Sequence, residues 1–153
     1  GAYVAITSSS DEKLEKAKAL GADFIVNYKA EPEWGSAVNA WSGEKGVDHV
    51  VEVGGPATLA QSINACRVNG NIVLIGVLTG VKGDVPTAAL MAKQINLKGI
   101  IVGSREHQND FVNALEASGI KPVIDTSFSL DELAKAFEYE VNGKHFGKIC
   151  IDI

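Results

Sequence analysis

The sequence predicts an α/β protein built on a parallel sheet with helices on both faces. Three observations carry that expectation. Strand-like and helix-like runs alternate from Tyr3 to the last residue, Ile153. The strand-like runs are continuously apolar, the mark of strands buried on both faces, not of half-exposed ones. Glycines and prolines fall at the joins between runs, where helices stop and start.

Each element has its own warrant. Tyr3 to Thr7 is short, apolar and β-branched, a strand of buried type. In "SSSDEKLEKAKALGAD", Ser9 or Ser10 can cap a helix with Asp11 and Glu12 in its first turn. Leu14, Ala17 and Leu20 form its apolar stripe, and Gly21 suits the position after its end. Phe24 to Tyr28 is the second strand. Ala37, Val38 and Trp41 mark one face of a helix from Glu33 to Trp41. "GVDHVVEVGG" is a third strand, and Pro56 can start a helix to Cys66 with Leu59, Ile63 and Cys66 on one face. "NGNIVLIGV" and "NLKGIIVGS" read as strands on either side of a short helix, Ala88 to Gln94. Asp110 to Ser118 is helical, with Phe111, Ala114 and Leu115 as its stripe. "KPVIDTSFSL" is then a strand, "SLDELAKAFEYEVNG" a helix capped by Ser129 with Glu132 as matching acid, and "HFGKICIDI" a last strand. The regular alternation ends near Ile120 to Pro122, the expected boundary.

Composition bounds the function class. A length of 153 residues is a prior for one domain. With 46% hydrophobic residues the chain is neither disordered nor collagen-like. Its 14 Lys+Arg against 19 Asp+Glu give a net charge of −5 and no dense basic cluster. That balance argues against nucleic acid and against an anionic membrane surface as partner. No apolar run approaches the ~20 residues of a membrane-spanning helix, and the N-terminus has no secretory pattern. Cys66 and Cys150 are far apart in sequence, so a disulfide scaffold or structural zinc site is not expected and a cytoplasmic location fits.

In doubly wound sheets, ligands bind beyond the carboxyl ends of the strands. After the first strand come Thr7, Ser8, Ser9 and Ser10, with Lys13 one turn into the helix. Hydroxyls, a helix N-terminus and a cation suit a phosphate; an ordinary serine cap with a solvated lysine fits equally. An acid at position 8 would favour an unphosphorylated ribose, whereas Ser8 removes the repulsion toward a 2′-phosphate. After the second strand, Tyr28 can stack on an adenine or pack on the sheet edge. The later strands end in Val53-Gly54-Gly55-Pro56 and Gly76-Val77-Leu78. Glycines there admit a ligand close to the backbone, and equally serve tight turns.

Other chemistries find little support. His49, His107 and His145 have no metal-ligand spacing, and His49 reads as a satisfied core histidine. Asp48 and Glu52 share a strand face but stand roughly 13 Å apart by strand rise, too far for an acid–base pair. Neither a G-x-S-x-G nucleophile turn nor a G-x-x-x-x-G-K-[ST] phosphate loop occurs. Cys66 sits on an apolar helix stripe and reads as core.

Taken in order, "AITSSSDEKLEKAKALGADFIVNY", "GVDHVVEVGG", "NGNIVLIGV" and "HFGKICIDI" are similar to the medium-chain dehydrogenase/reductase superfamily. The likeness covers essentially the whole chain and is closest to the zinc-type alcohol dehydrogenase and quinone oxidoreductase branches. It implies a Rossmann-like doubly wound sheet and an oxidoreductase that moves hydride between a nicotinamide and an alcohol, carbonyl or quinone. Ser8 stands where NAD-using members carry an acid, so the resemblance favours NADP over NAD. By position it assigns Ser9 and Lys13 to the adenosine ribose or its 2′-phosphate and Tyr28 to the adenine side. It assigns Val53 and Gly54 to the cofactor ribose, Gly76 and Val77 to the nicotinamide, and Gly103 and Ser104 to the next such turn. Lys148 is a weaker candidate for a late contact.

The resemblance also implies a departure. The family's barrel-like catalytic domain, which supplies zinc ligands or the quinone pocket, has no counterpart here. Nor do its first dinucleotide-domain strand and glycine-rich turn; no G-x-G-x-x-G occurs. The expectation is therefore an incomplete dinucleotide-binding domain over 1–120 and a C-terminal segment over 121–153, together a C-terminal fragment of a longer enzyme. Such a chain would carry cofactor contacts but no catalytic residue and no zinc, and would be inactive alone. In the strand order 3-2-1-4-5-6, loss of strand 1 opens two apolar edges. The edges can pair directly, or take a strand from another copy in a homo-oligomer. The alternative is a stand-alone, non-enzymatic domain that self-associates or binds a partner through the open sheet edge.

Overall fold

A computed structural model describes residues 1–153, which fold as two units, Gly1–Val102 and Gly103–Ile153. Position 120, where the alternation ends in sequence, lies inside the second unit.

The first unit alternates strand and helix throughout: β1 (Ala5–Ser8), α1 (Asp11–Ala19), β2 (Phe24–Asn27), α2 (Trp34–Trp41), β3 (Val47–Glu52), α3 (Pro56–Ala65), β4 (Cys66–Leu74), α4 (Thr87–Ala92) and β5 (Asn96–Gly99). Ser10 caps α1, its side chain accepting from the Lys13 amide, and Gly21 follows the helix with φ +106°. Proline starts α3, where its missing N–H costs nothing. All pairings are parallel. β1 pairs with β2 through Ala5–Phe24 to Ser8–Asn27, and β4 lies between β3 and β5. These orders reproduce 3-2 and 4-5-6 of a doubly wound sheet. β1 and β3 belong to separate sheets and do not pair, so direct closure is not the arrangement adopted.

Two apolar clusters hold this unit. Leu59, Ile63, Cys66 and Ile72 pack with Val50, Ala89, Leu90 and Ile95. Val26, Val38 and Ala65 pack with Ala5, Phe24, Trp34, Ala37 and Val47, so residues from both sheets meet around α2. Phe24 and Trp41 stack with centroids 5.3 Å apart. Each fully buried Leu or Ile contributes about 1.5–3 kcal/mol.

Several elements differ from the sequence expectation. His49 is exposed, not a core histidine, because β3 has a neighbour only on its β4 side and its outer face is uncovered. Val51 on the same strand is 67% exposed. Leu20 stands at the end of α1, 64% exposed and outside the stripe. β4 begins at Cys66, earlier than expected, and β5 ends at Gly99 without Ile100–Gly103.

The second unit comprises α5 (Arg105–Ser118), β6 (Ile124–Ser129), one 3-10 turn (Leu130–Glu132), α6 (Leu133–Val141) and β7 (Lys148–Asp152), with β6 and β7 parallel. α5 starts five residues before the expected position, at a capping box in which Ser104 and His107 bond each other's backbone amides. Phe111, expected on a buried stripe, is 62% exposed. Tyr139 ties α6 to β6: its hydroxyl donates to Asp125 Oδ2 at 2.7 Å, while Asp125 Oδ1 accepts from the Phe146 amide at 2.9 Å. No helix is long and apolar enough to cross a membrane.

Candidate functional site at the strand ends

At the end of β1 the chain turns on serines. Ser8 Oγ accepts from the Ser10 amide at 3.2 Å, and Ser10 Oγ from the Lys13 amide at 3.3 Å. The Tyr28 amide donates to Ser8 O at 3.0 Å, so the end of β2 is fastened to the same turn. Ser8, Ser9 and Lys13 are half-buried and Tyr28 is exposed. One carboxylate shares this end: Asp11 Oδ1 accepts from Asn27 Nδ2 at 2.7 Å. Glu12 is turned to Lys16 at 2.8 Å, and that hydrogen bond holds its carboxyl below the usual range. Hydroxyls, a capped helix N-terminus and Lys13 form a surface suited to an oxyanion, with Asp11 as the opposing charge.

At the end of β3 the organising group is Glu52, which is 3% exposed. Its Oε1 accepts from the Gly54 amide at 2.7 Å, the Gly55 amide at 3.0 Å and Thr58 Oγ1 at 2.6 Å. Its Oε2 accepts a short bond from Ser62 Oγ. Thr58 and Ser62 are four apart on α3, which places both hydroxyls on one face under the turn. The turn after β4 locks onto the turn after β3. Ile75 N and Gly76 N donate to Glu52 O at 2.9 and 3.3 Å, and Leu78 N to Val53 O at 3.3 Å. Thr79 closes the join, its amide and hydroxyl each 2.8 Å from Gly54 O, while its Oγ1 accepts from Ala57 N at 3.1 Å.

The glycines are required by this packing. A Cβ on Gly54 would overlap Thr58, and one on Gly76 would overlap the Val53 carbonyl. Gly55 has φ +91°, in the region that favours glycine. What the two turns present outward is an apolar ledge: Val53, Val77 and Leu78 are 48%, 47% and 84% exposed.

The structure thus gathers the candidate residues into two groups within the first unit. Ser8, Ser9, Lys13 and Tyr28 share the β1–β2 end, and Val53, Gly54, Gly76 and Val77 share the β3–β4 end. Gly103 and Ser104 open the second unit, where Ser104 Oγ accepts from the His107 amide at 3.2 Å. Lys148 begins β7, its amide on Val123 O at 2.8 Å and its side chain exposed. Sequence reasoning missed Glu52 as an anchor, having weighed it only as half of a carboxylate pair with Asp48. Asp48 is in fact outside, 2.6 Å from Arg67 Nε, which holds its carboxyl below the usual range. The available signal for Glu52 was an acid two residues before Gly-Gly-Pro, followed by hydroxyls spaced four apart. Asp11–Asn27 was missed because it joins residues 16 apart.

The residues do not fit a zinc site, since no three His, Cys, Asp or Glu side chains converge. Cys66 is buried in the core, and burial pushes its thiol up. The fit to a dinucleotide rests on the two strand ends described.

Comparison with known proteins bears on the family and the fold. Residues 1–119 match the family described as zinc-binding dehydrogenase. A zinc-type alcohol dehydrogenase-like protein of Schizosaccharomyces pombe is 42% identical over the whole chain, which spans 45% of that protein. Quinone oxidoreductase-like protein 2 of Mus musculus is 28% identical over 99% of the chain and 46% of its own length. Among solved structures, a Sinorhizobium meliloti protein described as an alcohol dehydrogenase superposes with a TM-score of 0.91 at 40% identity, covering the whole chain and 44% of its own. An NAD-dependent alcohol dehydrogenase superposes with a TM-score of 0.88 at 31% identity, over the whole chain and 44% of its own. The chain spans somewhat less than half the length of the relatives it matches. With a doubly wound strand order, glycine-bearing strand ends and a family match over residues 1–119, the chain belongs to the zinc-binding dehydrogenase family of oxidoreductases.

Proposed function

We propose that the chain is the cofactor-binding portion of an NADP(H)-dependent oxidoreductase. Its substrate class is alcohol, carbonyl or quinone. The observation that carries the reading is the end of β1, where Ser8, Ser9 and a helix cap stand together with no acid at position 8. In this reading Ser8, Ser9 and Lys13 receive the adenosine ribose and its 2′-phosphate, and Tyr28 lies on the adenine side. Val53 and Gly54 face the second ribose, Gly76 and Val77 the nicotinamide, and Gly103, Ser104 and Lys148 are later contacts. When bound, the nicotinamide supplies or accepts the hydride, and the protein binds and orients it. No residue of this chain is assigned a catalytic role, so the chain by itself is expected to turn nothing over. The whole enzyme is assigned to the cytoplasm and to a homo-oligomer. Zinc, if the enzyme uses it, is held by residues outside this chain.

The test is a calorimetric titration of the purified chain with NADPH, and with NADH as comparator. Selective NADPH binding supports the reading, and the NAD-dependent relative makes the comparator essential. Preference for NADH, or no binding of either, counts against it. Ser8→Asp is expected to move preference toward NADH by about tenfold, through one like-charge repulsion near the 2′-phosphate. Oxidation of NADPH with an aldehyde or quinone by this chain would overturn the assignment of no catalytic role.

A second reading is favoured by the open edges of β1 and β3. It makes the chain a non-enzymatic domain that self-associates or takes a partner strand. Strong self-association without any dinucleotide binding would select it.

A further inference from the structure

We infer that Glu52 is a positioning residue, the internal anchor that fixes the ledge formed by the turns after β3 and β4. The inference rests on the reading above, in which that ledge receives the nicotinamide half of the dinucleotide. Four donors converge on one buried carboxylate: two consecutive backbone amides, Gly54 and Gly55, and two hydroxyls of α3, Thr58 and Ser62. A carboxylate is the side chain that accepts from all four while bringing no donor of its own. Its charge sits at the start of α3, where the helix dipole favours an anion.

The carboxylate does more than cap a helix. The peptide groups around Gly54 are held from opposite sides: the amide by Glu52 and the carbonyl by the amide and hydroxyl of Thr79. Glu52 therefore sets the path of the β3 turn, and through Gly54 and the Glu52 carbonyl it sets the β4 turn as well. Neither Glu52 nor Gly54 is exposed. The exposed residues that they place are Val53 and Val77, one on each turn. The Ser8–Ser9–Lys13 end is built by different bonds and shares none of these partners.

That separation gives the test. The chain is titrated with NADPH and with adenosine 2′,5′-bisphosphate, which carries only the half assigned to the β1–β2 end. Glu52→Ala is expected to weaken NADPH about tenfold or more, the effect of removing charge-assisted hydrogen bonds. It should leave the bisphosphate within about twofold, since the first sites share no partners. Glu52→Gln keeps one acceptor oxygen for the two glycine amides and is expected to recover most of the NADPH affinity. Should Glu52→Ala not fold, Glu52→Asp keeps the charge but withdraws it by one methylene, and the same selective loss is expected. Equal loss on both ligands, or no loss on either, overturns the inference and leaves the functional reading standing. Failure of the unsubstituted chain to bind either ligand overturns the functional reading and this inference together.

Discussion

At the residue scale, two charges of opposite sign are placed against the backbone of one helix, α3. Glu52 lies at the start of α3, and Lys93 lies at its end. Lys93 Nζ donates to Ile63 O at 3.0 Å, Asn64 O at 2.7 Å and Cys66 O at 2.8 Å, which uses all three ammonium hydrogens. A cation on the last carbonyls of a helix is favourable for the same reason that an anion is at its first amides. Lys93→Met keeps the side-chain length and removes the donors. It is expected to cost about 2 kcal/mol, read as a lower urea midpoint with unchanged slope; an unchanged midpoint would show that water satisfies these carbonyls equally well. Asp11 is the opposite case, a carboxylate beside the proposed phosphate surface. Asp11→Asn preserves a polar partner for Asn27 and removes the repulsion. NADPH affinity is expected to rise severalfold at low salt, with the gain shrinking as salt screens it. A gain independent of salt would point to a rearranged turn.

At the element scale, what was legible in the sequence is what neighbouring residues decide. Ser10 before Asp11 and Glu12, and Pro56 after two glycines, mark helix starts that the structure keeps. The start of α5 was hidden because its capping box closes on His107, where the usual pattern has Glu or Gln. The exposure of His49 was hidden because burial depends on which strand lies alongside β3, and local sequence does not carry that. Glu52 was hidden because its four partners, two amides of the turn and two hydroxyls of α3, converge only once turn and helix have formed. The α2–α3 contact joins residues far apart in sequence. Gly35 lies against Gln61, accepting no Cβ without overlap on the Gln61 carbonyl, and its amide donates to Gln61 Oε1 at 2.9 Å. Gly35→Ala must part the two helices, at an expected cost of about 1–3 kcal/mol in chemical denaturation. In the second unit the β6–α6 junction depends on Tyr139. The hydrogen bond to Asp125 holds the Tyr139 hydroxyl above its ordinary value of 10.0. Because the folded value lies above the unfolded one, this contribution is whole below pH 10 and is lost as pH rises through the folded value. Absorbance titration of the phenolate should show one tyrosine ionising late, and Asp125→Asn should bring it back toward the ordinary value.

At the scale of the whole chain, four strands of the first unit are edges, and two of them, β1 and β3, flank the position of the central strand in a doubly wound order. β1 and β3 each have a strand on one side only, and each carries exposed apolar residues, with Ile6 at 37% and Val51 at 67% exposed. An open edge offers main-chain amides and carbonyls to another chain, and apolar side chains reward the pairing. The net charge of −5 opposes it through repulsion between copies. The two forces respond oppositely to salt: repulsion is screened, while strand pairing and apolar burial are not weakened. The chain is therefore expected to associate with rising concentration, and more strongly at high salt, in sedimentation velocity. Charges placed inward along an edge are a recognised defence against such pairing. Ile6→Lys and Val51→Lys are each expected to reduce association. Neither position belongs to the two strand-end groups, so titration with adenosine 2′,5′-bisphosphate should be unchanged. A chain that stays monomeric at every concentration and salt would mean that the edges are not sticky, and the self-associating reading would fall with them. Association that persists through both substitutions would move the interface away from β1 and β3, to the other edge strands, β2 and β5, or to another surface.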